Sequence, residues 1–103
     1  MTNIQSYIPI HPGAVVKDEV EARGICQKRL AELMGVPYTM LNEILNGKRN
    51  ISTDMALLFE AALEINAEML INMQTSYSLR IARSNATLKE RFRKIRQACA
   101  AAF

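Results

Sequence analysis

Apolar residues return every third or fourth position along most of this chain, and no stretch alternates convincingly with period two. A chain patterned this way folds as packed helices, so the expected class is all-α. Glycine and proline keep those helices short. Pro12 suits a first helical turn, and a helix carrying Val15, Val16 and Val20 runs from there to Gly24. A second is expected over about Gln27–Met34, with Leu30, Ala31 and either Leu33 or Met34 inward, ending at Gly35. A third begins near Pro37 or Tyr38, turns Leu41, Ile44 and Leu45 inward and ends at Gly47. Ser52 is a good cap for a fourth, which places Met55, Leu58, Phe59, Ala62 and Leu63 on one side. A fifth follows Asn66 and carries Leu70, Met73, Tyr77 and Ile81. The capping-box pattern Thr87-Leu88-Lys89-Glu90 signals a sixth, with a stripe of Leu88, Phe92, Ile95 and Cys99.

With 103 residues there is room for one domain and not two. The division expected is an irregular arm over residues 1–11, where prolines disfavour helix, a globular body over 12–83 and a C-terminal helix over 84–103. The longest strongly apolar stretch, Met55 to Phe59, stops at Glu60, so no segment is expected to cross a bilayer. No signal peptide is visible and the cysteines, Cys26 and Cys99, form no CxxC pair, which points to a reduced cytoplasmic protein. The single histidine, His11, precedes a proline and belongs to the junction of arm and first helix. No Cys/His cluster, catalytic dyad or glycine-rich phosphate loop is present, so no metal, cofactor or enzymatic activity is expected.

The net charge of +3 hides three unlike segments. Residues 1–50 carry six Lys/Arg against five Asp/Glu. Residues 51–79 have no Lys or Arg and four acids, Asp54, Glu60, Glu64 and Glu68. Residues 80–103 hold seven Lys/Arg and only Glu90. An acidic middle and a basic end suit more than one interaction surface, the alternative being solvated helix faces.

The second and third helices, joined through Gly35, Val36 and Pro37, have the spacing of a helix-turn-helix. The runs IHPG (10–13), QKRLAELMGVP (27–37), LNEILNGKRNIS (41–52) and LINMQTSY (70–77) carry a more specific signal. Through them residues 10–83 resemble the HigA antitoxins, or plasmid maintenance system antidote proteins, within the Xre/Cro class. The resemblance implies a five-helix, lambda-repressor-like domain with an additional C-terminal helix. The chain departs from the pattern at Cys26, where a capping Ser or Thr is usual, and at Leu70, where Trp is common.

In such a fold the N-terminal part of the third helix enters the major groove. Tyr38, Thr39, Asn42 and Glu43 are then the base-reading candidates. Asn42 can pair with adenine, Thr39 can touch a thymine methyl, and Glu43 can accept from cytosine or bond a neighbouring side chain instead. The resemblance puts Gln27 at a phosphate, and Lys28, Arg29, Lys48, Arg49 and Asn50 are placed to join it. Short operators are read by two-fold dimers. The candidate dimer surface is Met69, Leu70, Met73, Tyr77, Ile81, Phe92 and Ile95, unless the last helix packs on its own domain.

The partners implied are double-stranded operator DNA, a second copy, and a HigB/RelE-like toxin that cleaves mRNA. The toxin would dock on 51–79 or on the first helix with Asp18, Glu19 and Glu21. The basic end would touch DNA backbone or an acidic neighbour. A stand-alone repressor, and an interaction module that no longer reads DNA, are the alternatives.

Overall fold

The structure is a computed structural model and describes residues 10–103. The expected arm therefore lies outside the described residues up to Pro9. Six α-helices and no strand are present among the described residues: α1 Pro12–Ala22, α2 Gln27–Met34, α3 Tyr38–Leu45, α4 Thr53–Leu63, α5 Ala67–Arg83 and α6 Ala86–Ala102.

Side-chain caps set most of the starts. The Ser52 hydroxyl accepts from the Met55 amide, and Asn66 accepts from Met69 at 2.8 Å. His11 caps α1 through Nδ1, which accepts from the Gly13 amide at 2.9 Å. Cys26 stands at the N-cap of α2 and offers no side-chain hydrogen bond, as expected of a thiol. The sixth helix begins earlier than the Thr87 capping box suggested. Asn85 accepts from the Leu88 amide at 2.9 Å and starts the helix at Ala86, because asparagine is itself a preferred cap.

The core joins all of α1 to α5. Val16 and Val20 meet Leu41, Ile44 and Leu45 of α3, with Leu30 and Ala31 of α2 and Met55, Phe59 and Leu63 of α4 around them. Burial of each large aliphatic side chain contributes roughly 1.5–3 kcal/mol. Of the two alternatives for the inward residue of α2, Met34 packs against the core and Leu33 is 70% exposed. One position of the expected stripes differs: Ala62 faces solvent while Ala56 is buried.

Gly13 explains how closely α1 and α3 pack. A β-carbon there would overlap the carbonyl oxygen of Ile44, so only glycine lets the two backbones meet. Arg23 ties the far end of α1 to α4 by donating to the Leu63 carbonyl at 2.8 Å.

The last helix behaves differently. No residue of α6 is buried, and among the other helices it touches α5 alone to any extent. The radius of gyration is 17.7 Å, against about 13 Å for a compact domain of this length, and the long axis reaches 57 Å. The body is thus one packed unit from which α6 stands away.

Candidate nucleic-acid interface

The sequence builds the α2–α3 corner from a left-handed residue and a proline. Gly35 takes φ +71°, which ends α2 and lets the Val36 amide donate to the Ala31 carbonyl at 3.0 Å. Pro37 then caps α3 from an extended conformation. With Leu41, Ile44 and Leu45 buried, the first turn of α3 is left outside: Tyr38 is 40% exposed and Thr39 is exposed.

Four of the expected contact residues meet in two pairs across the two helix starts. The Lys28 ammonium lies 5.7 Å from the centre of the Tyr38 ring, within cation–π range. Half-buried Asn42 donates from Nδ2 to Gln27 Oε1 at 3.2 Å. That bond fixes both amides. Gln27, in the first turn of α2, keeps its own NH2 group to donate, and Asn42 keeps its oxygen to accept.

Other expected residues are already engaged. Glu43 pairs with Arg49 at 3.0 Å, the bond to a neighbouring side chain that the sequence left open. Arg29 pairs with Glu32 at 3.1 Å along α2, an exposed and weakly held contact. Lys48 is exposed and has no ion-pair partner among the described residues. The Asn50 oxygen accepts from Gln74 at 3.1 Å.

Gln74 is the residue that reasoning from sequence overlooked. It is buried on α5, accepts from the Ile51 amide at 2.8 Å and donates to Asn50 and to Ser78. The segment after α3 is therefore fastened by α5. A polar side chain four positions after Leu70, inside the stripe of the fifth helix, was the available signal.

The same segment is gripped from its other side by His11. The imidazole meets Tyr77 of α5 edge to face, with ring centres 5.0 Å apart, and lies against Gly47. Its Nε2 is buried without a hydrogen-bonding partner. Burial lowers the His11 pKa below its ordinary value, and the backbone of Arg49 only partly offsets this.

One expected dimer residue is corrected. Leu70 is 0% exposed and belongs to the core of its own domain, since it closes the space between α4 and α5, and it has no surface to offer a second copy. Met69, Ile81 and Ile95 are exposed, and Met73, Tyr77 and Phe92 are half-buried. Among the described residues no group of three or more His, Cys, Asp or Glu side chains gathers as a metal site, and no helix is long and apolar enough to cross a membrane.

Helix α2, its turn and α3, with a polar first turn left outside, define a helix-turn-helix protein. The helix-turn-helix profile HTH_3 matches residues 16–70. The chain belongs to this Xre-type helix-turn-helix family.

Virulence-associated protein I of Dichelobacter nodosus is 34% identical over 74 residues, covering 71% of this chain and 68% of that protein. An addiction module antidote protein of the HigA family from Coxiella burnetii superposes with a TM-score of 0.70 at 28% identity, over 88% of this chain and 95% of that one. Antitoxin HigA of Pseudomonas aeruginosa, solved with the higBA promoter, gives a TM-score of 0.69 at 34% identity, over 74% and 84% of the two chains. The likeness to HigA antitoxins that the IHPG and LNEILNGKRNIS runs implied is borne out by these structural neighbours.

Proposed function

We propose that this chain binds its own operator as a dimer, represses its own operon and serves as the antitoxin to a HigB/RelE-like toxin. The observation that carries the reading is the Gln27–Asn42 bond beside exposed Tyr38 and Thr39. It presents a preset donor and acceptor at the two helix starts, in a chain whose solved neighbours include an antitoxin bound to promoter DNA. Tyr38, Thr39 and Asn42 read bases, while Gln27, Lys28 and Lys48 hold phosphates, with Arg29, Arg49 and Asn50 as secondary contacts. Glu43 positions Arg49. The exposed and half-buried apolar residues of α5 and α6, Met69, Met73, Tyr77, Ile81, Phe92 and Ile95, supply the dimer surface.

A mobility shift with the region upstream of its own gene tests the DNA half. Asn42→Ala is expected to cost about 1–3 kcal/mol of specific binding. Lys48→Ala is expected to weaken all sequences alike and lower the salt slope by about one unit. Specific binding untouched by Tyr38→Ala and Asn42→Ala together would refute the reading face. Co-purification with a RelE-like protein encoded beside it tests the other half, and failure there leaves a stand-alone repressor.

A further inference from the structure

Helix α6 presents an apolar stripe on which Ile95 is open to solvent, at 53% exposure, and Phe103, just past the end of the helix, is fully exposed. Arg91 lies on one flank of that stripe and Lys89 and Arg96 on the other, by helical spacing. Of the five cations in α6 only Arg93 has an acidic partner, Glu90, on the back of the helix. A surface of the opposite kind exists on the body. The groove between α4 and α5 is lined by Leu57, which is 53% exposed, and half-buried Ile71, with Glu68 at its edge. Asp54 lies one turn before Leu57 on α4, and Glu64 is the left-handed residue that caps the end of that helix. Neither Asp54, Glu64 nor Glu68 makes an ion pair among the described residues.

The two surfaces do not meet within one chain. The groove lies at the start of α5, whereas α6 follows the end of that 17-residue helix and stands away from the body. Pairing α6 with a second α6 would bring together two helices that each hold five Lys/Arg against one Glu. We propose that α6 of one copy seats on the acidic α4–α5 groove of a second copy, and reciprocally. Ile95 then meets Leu57 and Ile71 while Lys89, Arg91 and Arg96 face Asp54, Glu64 and Glu68. A two-fold exchange of this kind closes on itself. It rests on the two-copy assembly proposed above, shares Ile95 with that surface and adds the α4–α5 groove to it.

The test is a charge swap in the full chain, followed by sedimentation equilibrium at low and high salt. The pair Lys89→Glu and Arg96→Glu is expected to weaken self-association at least tenfold, as is the pair Asp54→Lys and Glu68→Lys. All four together are expected to restore most of it, which general misfolding would not do, and circular dichroism should show unchanged helix content throughout. Association that none of these variants alters overturns the contact and leaves a dimer joined elsewhere intact. Reversals on α6 that lower only operator affinity and its salt slope assign the helix to DNA and overturn the proposal. A parent chain that stays monomeric at all concentrations overturns the proposal and the dimeric reading alike.

Discussion

Helices α3 and α6 are both amphipathic, yet they stand in opposite relation to the protein. Of the eight residues of α3, Leu41, Ile44 and Leu45 are buried in the core of the body, with α1 and α2 packed against the helix. Not one of the 17 residues of α6 is buried. Periodicity thus shows that a helix has an apolar side and says nothing about which molecule covers it. The body answers that question internally through Gly13, Gln74 and the core. In α6 the inner part of the stripe, Leu88 and Phe92, is half-buried while Ile95 stays open to solvent.

The contrast can be broken most sharply at Gly13. Gly13→Ala forces the new methyl group onto the Ile44 carbonyl and should cost about 3 kcal/mol or more, seen as a lower midpoint in denaturant. Gln74→Ala is next. It strands the Ile51 amide and should cost about 2 kcal/mol, with the segment around Lys48–Asn50 losing amide-exchange protection before the rest of the body. Cys26→Ser supplies the missing cap of α2 and should raise stability by about 1 kcal/mol in thermal melts.

Acid should act on the body through His11. Its folded pKa is lowered by burial, so below about 6.5 the unfolded chain takes up a proton that the folded chain resists. Stability should fall as the pH drops from 7 toward 5, and His11→Asn, which keeps an acceptor for the Gly13 amide, should flatten that slope. The smallest effect belongs to the other side of the comparison. Ile95→Ala should change the unfolding free energy of the isolated subunit by less than about 0.5 kcal/mol. A larger loss at low protein concentration would mean that α6 is part of the body after all.

The helix-turn-helix was legible because its punctuation is local. Gly35 and Pro37 bracket the turn, and α2 runs over Gln27–Met34 as the sequence predicts. Ser52 and Asn66 marked α4 and α5 for the same reason. What stayed hidden depends on residues far apart in the chain. The need for glycine at position 13 comes from a carbonyl 31 positions later, and Gln74 serves an amide 23 positions earlier. Tyr38 and Thr39 were legible as exposed once Leu41, Ile44 and Leu45 were turned inward. The engagement of Glu43 by Arg49 was among the alternatives the sequence left open, whereas the engagement of Asn50 by Gln74 was not. Leu70 was misplaced at the dimer surface because a stripe of Leu70, Met73, Tyr77 and Ile81 does not reveal where the core stops along a long helix.

The grip of α5 on the segment after α3 reaches beyond stability. Gln74 bonds Asn50 and Ile51 directly and Tyr77 backs the His11 ring that lies against Gly47, while Met69 and Ile81 of the same helix remain exposed. A dimer joined through α5 would have no slack between its joint and its reading heads. Two half-sites set a little too far apart could not be met by flexing the protein, and the DNA itself would have to bend or twist to fit. Stiffness in one helix would thereby make the distance between half-sites part of the message, alongside the bases within them.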